Sequence, residues 1–148
     1  MERIAQCHCG SLRALVSGDT DRINICHCKA CQRRTGSLFH AGAFFPKSQV
    51  RIEGESKLYA RAADSGRSVR FYFCPTCGSN LYFDNDMLPD HYGISIGTFA
   101  EPAFRQPAFS VWEESRHPWI CVPEDVHRFE QGRIGSAAII APTRPAPA

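Results

Sequence analysis

The residues of this 148-residue chain best placed to do chemistry are its eight cysteines. Seven fall into three tight groups: Cys7-His8-Cys9-Gly10, Cys26-His27-Cys28-Lys29-Ala30-Cys31, and Cys74-Pro75-Thr76-Cys77-Gly78. Cys121 stands apart. An even count admits a disulfide framework, but the opening residues lack the basic start and apolar run of a secretory signal. A cytoplasmic location is therefore expected, and reducing cytoplasm does not sustain structural disulfides. Two or three cysteines within a few residues suit a shared metal ion better than mutual bridges. Zinc collects thiolate sulfurs tetrahedrally at about 2.3 Å, and one backbone turn between paired cysteines aims both sulfurs at one point.

Seven clustered cysteines make one site of four and one of three. The favoured partition joins Cys7 and Cys9 to Cys74 and Cys77, each a two-cysteine unit followed by glycine. That closed site would be structural. Cys26, Cys28 and Cys31 would hold a second ion with one position open, the mark of a catalytic zinc. A second partition, in which the first two groups share an ion, stays open at this level. His8 and His27 each lie between two chelating cysteines, where a third donor would strain the chelate, so both are expected outside the ligand set. Cys121, in Trp119-Ile120-Cys121-Val122-Pro123, is expected to fill apolar space as a buried free thiol.

The elements that must position these groups read as short strands. Leu12, Ala14 and Val16 alternate with Arg13, and Val69, Phe71 and Phe73 alternate with Arg70 and Tyr72. Further strands are expected over 38–45, 50–53, 57–60, 80–84, 92–99 and 109–112, with Gly, Pro, Asn and Asp between them. No sustained 3.6-residue apolar period occurs, and one helical turn is expected after Cys28, through Gln32 and Arg33, ending near Gly36. The fold class is mainly β, in short antiparallel sheets with little helix. One domain is expected over 1–135, followed by a disordered Ala- and Pro-rich tail over 136–148. A hydrophobic content of 43% argues against disorder of the whole chain, and no apolar run is long enough to span a membrane. The formal charge of +2 counts every thiol as neutral; seven thiolates on two zinc ions would bring it to about −1. Basic residues interleave with acids, so no nucleic-acid partner is expected.

The order Cys-x-Cys-Gly, Cys-x-Cys-x-x-Cys, Cys-Pro-x-Cys-Gly resembles the glutathione-dependent formaldehyde-activating enzyme family, which includes the centromere-protein-V-like proteins. The similarity runs from about Ile4 to Ile120 and extends to Arg33, Arg34 and Gly36 and to Ser115-Arg116-His117-Pro118-Trp119. The resemblance implies a β-tent fold, a structural zinc on Cys7, Cys9, Cys74 and Cys77, and a catalytic zinc on Cys26, Cys28 and Cys31. It also implies S-(hydroxymethyl)glutathione synthase chemistry, formally a carbon–sulfur lyase, with glutathione and formaldehyde as small-molecule partners.

On that reading no catalytic residue is expected beyond the ligands Cys26, Cys28 and Cys31. Lys29, Arg33 and Arg34 are candidates to moderate the thiolate charge, and Arg33 and Arg34 to hold a glutathione carboxylate. His40 and His117 could carry protons but are expected to serve in packing and hydrogen bonding; Trp119 could line the pocket but, as an aromatic at a strand end, is expected in the core. Two rivals remain. One is a binding module with both zincs structural. The other is a methionine sulfoxide reductase-like enzyme, whose reactive thiol would have to be Cys121, a residue with no activating cation beside it in sequence.

Overall fold

A computed structural model of the chain describes residues 1–63, 66–134 and 138–140. The architecture is mainly β, with one short α-helix among the described residues. Two compact units share the chain: Met1–Thr20 with Ala43–Phe104, and Asp21–Gly42 with the residues from Arg105 onward.

In the first unit, β1 (Glu2–Gln6), β2 (Arg13–Ser17) and β5 (Val50–Glu53) form an antiparallel sheet in the order β1-β2-β5. Alternation decides its faces: Ala14 and Val16 of β2 and Ala5 of β1 are fully buried, while Arg13 faces Glu53 across the ladder. The last residues of β4 (His40–Pro46) lead into an antiparallel run of β9 (His91–Ser95), β8 (Asn80–Asn85), β7 (Ser68–Phe73) and β6 (Lys57–Ala62). Phe71, Phe83 and Phe44 pack on one side, their ring centroids 5.4–6.1 Å apart. Arg70 pairs with Asp84, directly opposite it, and Tyr72 stacks on Tyr82 at 4.4 Å. Phe45, Leu12, Leu81 and Ile94 are among the fully buried side chains of this unit.

The second unit contains β3 (Ile23–Cys26), helix α1 (Lys29–Thr35), β10 (Phe109–Val111), β11 (His127–Phe129) and β12 (Ala138–Ile140), with strand order β12-β11-β10-β3. Here the antiparallel expectation needs correction, because β10 pairs in parallel with both β3 and β11. A tight turn forces two strands antiparallel. β3 and β10 are separated by most of the chain, so no turn sets their direction.

Other elements also differ from expectation. The strand expected over 92–99 stops at Ser95, where Thr98 Oγ1 donates to Ser95 O at 2.6 Å and a 3-10 turn takes over. β10 stops at Val111 because Trp112 adopts φ 59° and starts another such turn. Strands β1, β3 and β11 were not anticipated. Of the segment expected as a tail, Ala138–Ile140 is a strand and the remainder lies outside the described residues. No helix among the described residues is long and apolar enough to cross a membrane.

Phe45 tests the core of the first unit. Phe45→Ala is expected to cost about 3–5 kcal/mol through lost burial and the cavity left behind. The drop in urea midpoint, at unchanged slope, measures it.

Candidate metal centres

Two chain turns of the same design build the first centre. Cys7 follows β1; its N–H donates to Leu12 O at 2.9 Å, and its carbonyl accepts from Gly10 N at 3.0 Å. Cys74 follows β7; its N–H donates to Ser79 O at 3.0 Å, and its carbonyl accepts from Gly78 N at 2.8 Å. Each turn closes only in left-handed backbone, at Gly10 (φ 81°) and Gly78 (φ 77°), which is why glycine follows each pair. His8 N donates to Ser79 Oγ at 3.0 Å and ties the turns together. The four sulfurs lie within 4.8 Å of one another, with Cys7–Cys9 at 3.6 Å and Cys9–Cys74 at 3.7 Å. A tetrahedron of sulfurs about 2.3 Å from a central ion has edges of about 3.8 Å. The favoured partition is the one whose sulfurs converge.

Hydroxyl groups surround these sulfurs. Ser11 Oγ is 3.1 Å from Cys9 Sγ and 3.3 Å from Cys74 Sγ, and Ser79 Oγ is 3.2 Å from Cys77 Sγ. Ser79's hydroxyl, with backbone N–H groups, lowers the Cys77 thiol to about 5, and Ser11's hydroxyl leads in lowering Cys74 to about 7. Ser11 also favours the Cys9 thiolate, but desolvation and the adjoining Cys7 and Cys77 sulfurs hold that thiol above its ordinary range. Sulfurs this close cannot all ionise without a cation among them, and a soft divalent ion fits the donor set.

The second centre is built around a helix start. Cys26 ends β3, Cys28 is the N-cap of α1, and Cys31 lies in its first turn, with Cys31 N donating to Cys28 Sγ at 3.3 Å. The three sulfurs converge within 4.8 Å, all half-buried. Hydrogen bonds from the Cys26 and Cys31 thiols hold Cys28 far toward thiolate; the same contacts, together with burial, push Cys26 upward. Gly36 ends the helix at φ 69°, its N–H on Gln32 O at 2.8 Å.

A distant stretch of sequence cradles this loop. His27 N donates to Val111 O at 3.1 Å. Gln32 Nε2 donates to His27 O at 2.8 Å and to Ser115 O at 3.1 Å. These two carbonyls fix the amide, so Gln32 Oε1 accepts from His117 Nε2 at 2.9 Å. His117 thus makes the hydrogen-bonding contact expected of it.

His8 is exposed, and the buried His27 ring turns toward Ser110 and Phe39; neither joins a cysteine cluster. Lys29 and Arg33 are exposed. Arg34 is half-buried; its charge opposes the His40 cation and, with the Cys26 hydrogen bond, favours the Cys31 thiolate, but Cys28 and burial leave the Cys31 thiol above its ordinary range. Two expectations fail. Cys121 is exposed, and Trp119 is 70% exposed. His117–Ile120 form a turn, with Ile120 N donating to His117 O and Ile120 O accepting from Arg116 Nη1. Trp119 lies in that turn and Cys121 just beyond it, both outside any strand.

Sequence reasoning missed Glu113. Its side chain is 2% exposed, and it receives Ser110 Oγ at 2.5 Å, Arg116 Nε at 2.6 Å and Arg128 Nη2 at 2.7 Å. Burial opposes its charge, but these donors, Arg128 foremost, bring the carboxyl to about 2. Nothing in the local sequence sets this glutamate apart from Glu114.

The family model described as glutathione-dependent formaldehyde-activating enzyme matches residues 2–115. A protein of Colletotrichum graminicola, named as a candidate glutathione-dependent formaldehyde-activating enzyme, is 30% identical over 80 residues, 52% of this chain. The chain spans only 41% of that relative's length. A crystal structure of a Rhodobacter sphaeroides protein superposes with a TM-score of 0.51 at 27% identity, over 64% of this chain and 85% of that one.

His40 gives this centre's surroundings a pH signature. Burial, then Arg34, pushes its imidazolium from the ordinary 6.5 down to about 3. The folded state therefore refuses a proton that the unfolded chain accepts, and the stability present above pH 6.5 is lost as pH falls toward 3. Between pH 6.5 and about pH 5 the loss amounts to about 1.5 kcal/mol. His40→Gln is expected to remove that part of the acid sensitivity, read as the difference between two urea-denaturation series at matched metal content.

Proposed function

The chain belongs to the glutathione-dependent formaldehyde-activating enzyme family, and from that premise we propose that it is a zinc-dependent carbon–sulfur lyase joining a thiol to a small aldehyde. Cys26, Cys28 and Cys31 would form the catalytic-type centre, and Cys7, Cys9, Cys74 and Cys77 the structural one. One observation carries the distinction. The first group contains three cysteines and the second four, with no further His, Cys, Asp or Glu completing the three among the described residues.

Cys26, Cys28 and Cys31 would hold a zinc ion, which when bound would supply acidity toward a substrate thiol at neutral pH. The chain's own residues prepare that centre. The N-cap geometry of Cys28 and the first-turn placement of Cys31 point both sulfurs toward Cys26. Arg34 sets a positive charge beside Cys31, offsetting the anionic cluster as a further thiolate arrives. Arg33 and Arg34, in the last turn of α1, are proposed to grip a carboxylate of the thiol substrate. The family description makes glutathione the thiol and formaldehyde the aldehyde. In the bond-forming step the thiol sulfur adds to the carbonyl carbon and the thiol proton ends on the aldehyde oxygen. A reducing, cytoplasmic setting suits seven ligating thiols.

Metal analysis of anaerobically purified protein is expected to find two zinc ions per chain, and sulfur X-ray absorption to show one gaining a fourth sulfur when glutathione is added. Two zinc sites blind to glutathione would favour a binding module. Cys28→Ser is expected to abolish thiol-dependent turnover and leave the circular dichroism spectrum intact. Cys77→Ser should unfold the chain, since structural zinc contributes roughly 10–16 kcal/mol to folding. Two folded, active variants would overturn this assignment.

A further inference from the structure

Behind the three-cysteine centre runs a buried polar chain that the reaction proposed above does not use. Ser110 is fully buried, with its Oγ 2.5 Å from Glu113 Oε1 and 3.1 Å from His27 Nε2. Arg116 and Arg128 bind the other carboxylate oxygen at 2.6 and 2.7 Å. Chemistry fixes the direction of each bond. Flanked by two guanidinium groups, the carboxylate is ionised and only accepts, so the Ser110 hydroxyl hydrogen must point to Glu113. The Ser110 oxygen then accepts from His27 Nε2–H. Neutral His27 is left with its lone pair on Nδ1, buried and without a hydrogen-bond partner among the described residues.

His27 is also the middle of the Cys26-His27-Cys28 turn. Its N–H is tied to Val111 O at 3.1 Å, and its carbonyl to Gln32 Nε2 at 2.8 Å. Successive side chains in extended backbone point to opposite sides. A ring anchored on the Ser110 side therefore commits both flanking sulfurs to the other side, where they meet Cys31. Hydrophobic packing alone would hold a leucine there without orienting the ring. The hydrogen-bonded chain orients it.

We propose that Ser110 and Glu113 are positioning residues for the three-cysteine centre, locking His27 in its Nε2–H tautomer so that the Cys26 and Cys28 sulfurs face one point. Arg116 and Arg128 anchor the carboxylate from behind. The inference rests on the reading that this cluster holds a metal. Outer partners of metal sites commonly carry ten- to a hundredfold in affinity.

The test loads the full chain with cadmium-113, whose resonances separate a four-sulfur from a three-sulfur site, and strips it with a graded chelator. Ser110→Ala is the informative variant, because Glu113→Gln would leave two arginines without their counter-charge and risk misfolding. Ser110→Ala is expected to weaken the three-sulfur site by about tenfold or more while the four-sulfur site is unchanged. Ser110→Thr, which keeps the hydroxyl, should restore it. Nitrogen-15 spectra of the wild-type imidazoles should show His27 with its proton on Nε2. Wild-type cadmium retention in Ser110→Ala, no rescue by threonine, or a proton on Nδ1 would each overturn the proposal. Should the wild type bind cadmium only at the four-sulfur site, the lyase reading fails. The ring then decides separately: an Nε2 proton lost in Ser110→Ala supports the lock, and one unaffected by that change overturns it.

Discussion

Sulfur atoms held nearly in contact impose the constraint on which the rest depends. Cys9 is 3.6 Å from Cys7 and 3.7 Å from Cys74. Sulfurs at that separation share protons or share a cation; they cannot all be thiolates alone. The surroundings of the four-cysteine cluster favour the charged forms of Cys74 and Cys77, while the Cys9 thiol is held above its ordinary range. Ser11 and Ser79 offer hydroxyls, Leu12 N donates to Cys7 Sγ at 3.2 Å, and each turn is closed by a glycine whose φ near 80° a side chain would resist. Apart from the bonds that cross between the turns, His8 N to Ser79 Oγ and Ser11 Oγ to Cys74 Sγ, the parts of each turn are neighbours in sequence, so each turn is locally encoded even though the two lie far apart along the chain.

The three-cysteine centre is organised differently. Its ligands are local, but its supports are not: Val111, Ser115 and His117 grip a loop more than eighty residues earlier in the sequence. Parallel pairing of β10 with β3 delivers them there, placing Val111 opposite Cys26. Closing so long a loop costs entropy that local hairpins avoid. What this arrangement provides is a loop held at the His27 backbone and ring from β10 and the turn after it, on the side away from the sulfurs.

That difference explains what was legible in the sequence. Cysteine spacing and the following glycines carried the ligand groups, because chelation by neighbouring residues is a local property written in local order. Strand alternation carried β2 and β7 for the same reason. Ile23 and Ile25 flank Asn24 in β3, an alternation too short to stand out from its surroundings. Glu113 and Ser110 had no readable signal: a glutamate becomes a buried anion only when Arg116 and Arg128 converge on it, and Arg128 arrives from another strand. Cys121 and Trp119 misled in the opposite sense, since apolar neighbours suggested burial while Pro118 and Pro123 bracket a stretch outside any strand in which both are exposed.

Charge ties these observations together. A formal +2 counts every thiol as neutral, whereas Cys28 and Cys77 are held toward thiolate by the donors around them. Near the three-cysteine centre the buried groups are sorted by sign. His40 is kept neutral by burial and by Arg34, whose charge also acts on Cys31, a thiol that Cys28 and burial hold above its ordinary range against the Cys26 hydrogen bond. Glu113 stays anionic because two arginines and a serine answer it, and His27 stands between that anion and the cysteine turn. The thiols thus lie between an arginine on one side and the Glu113 carboxylate behind the turn. That arrangement is compatible with the thiol chemistry proposed for this centre.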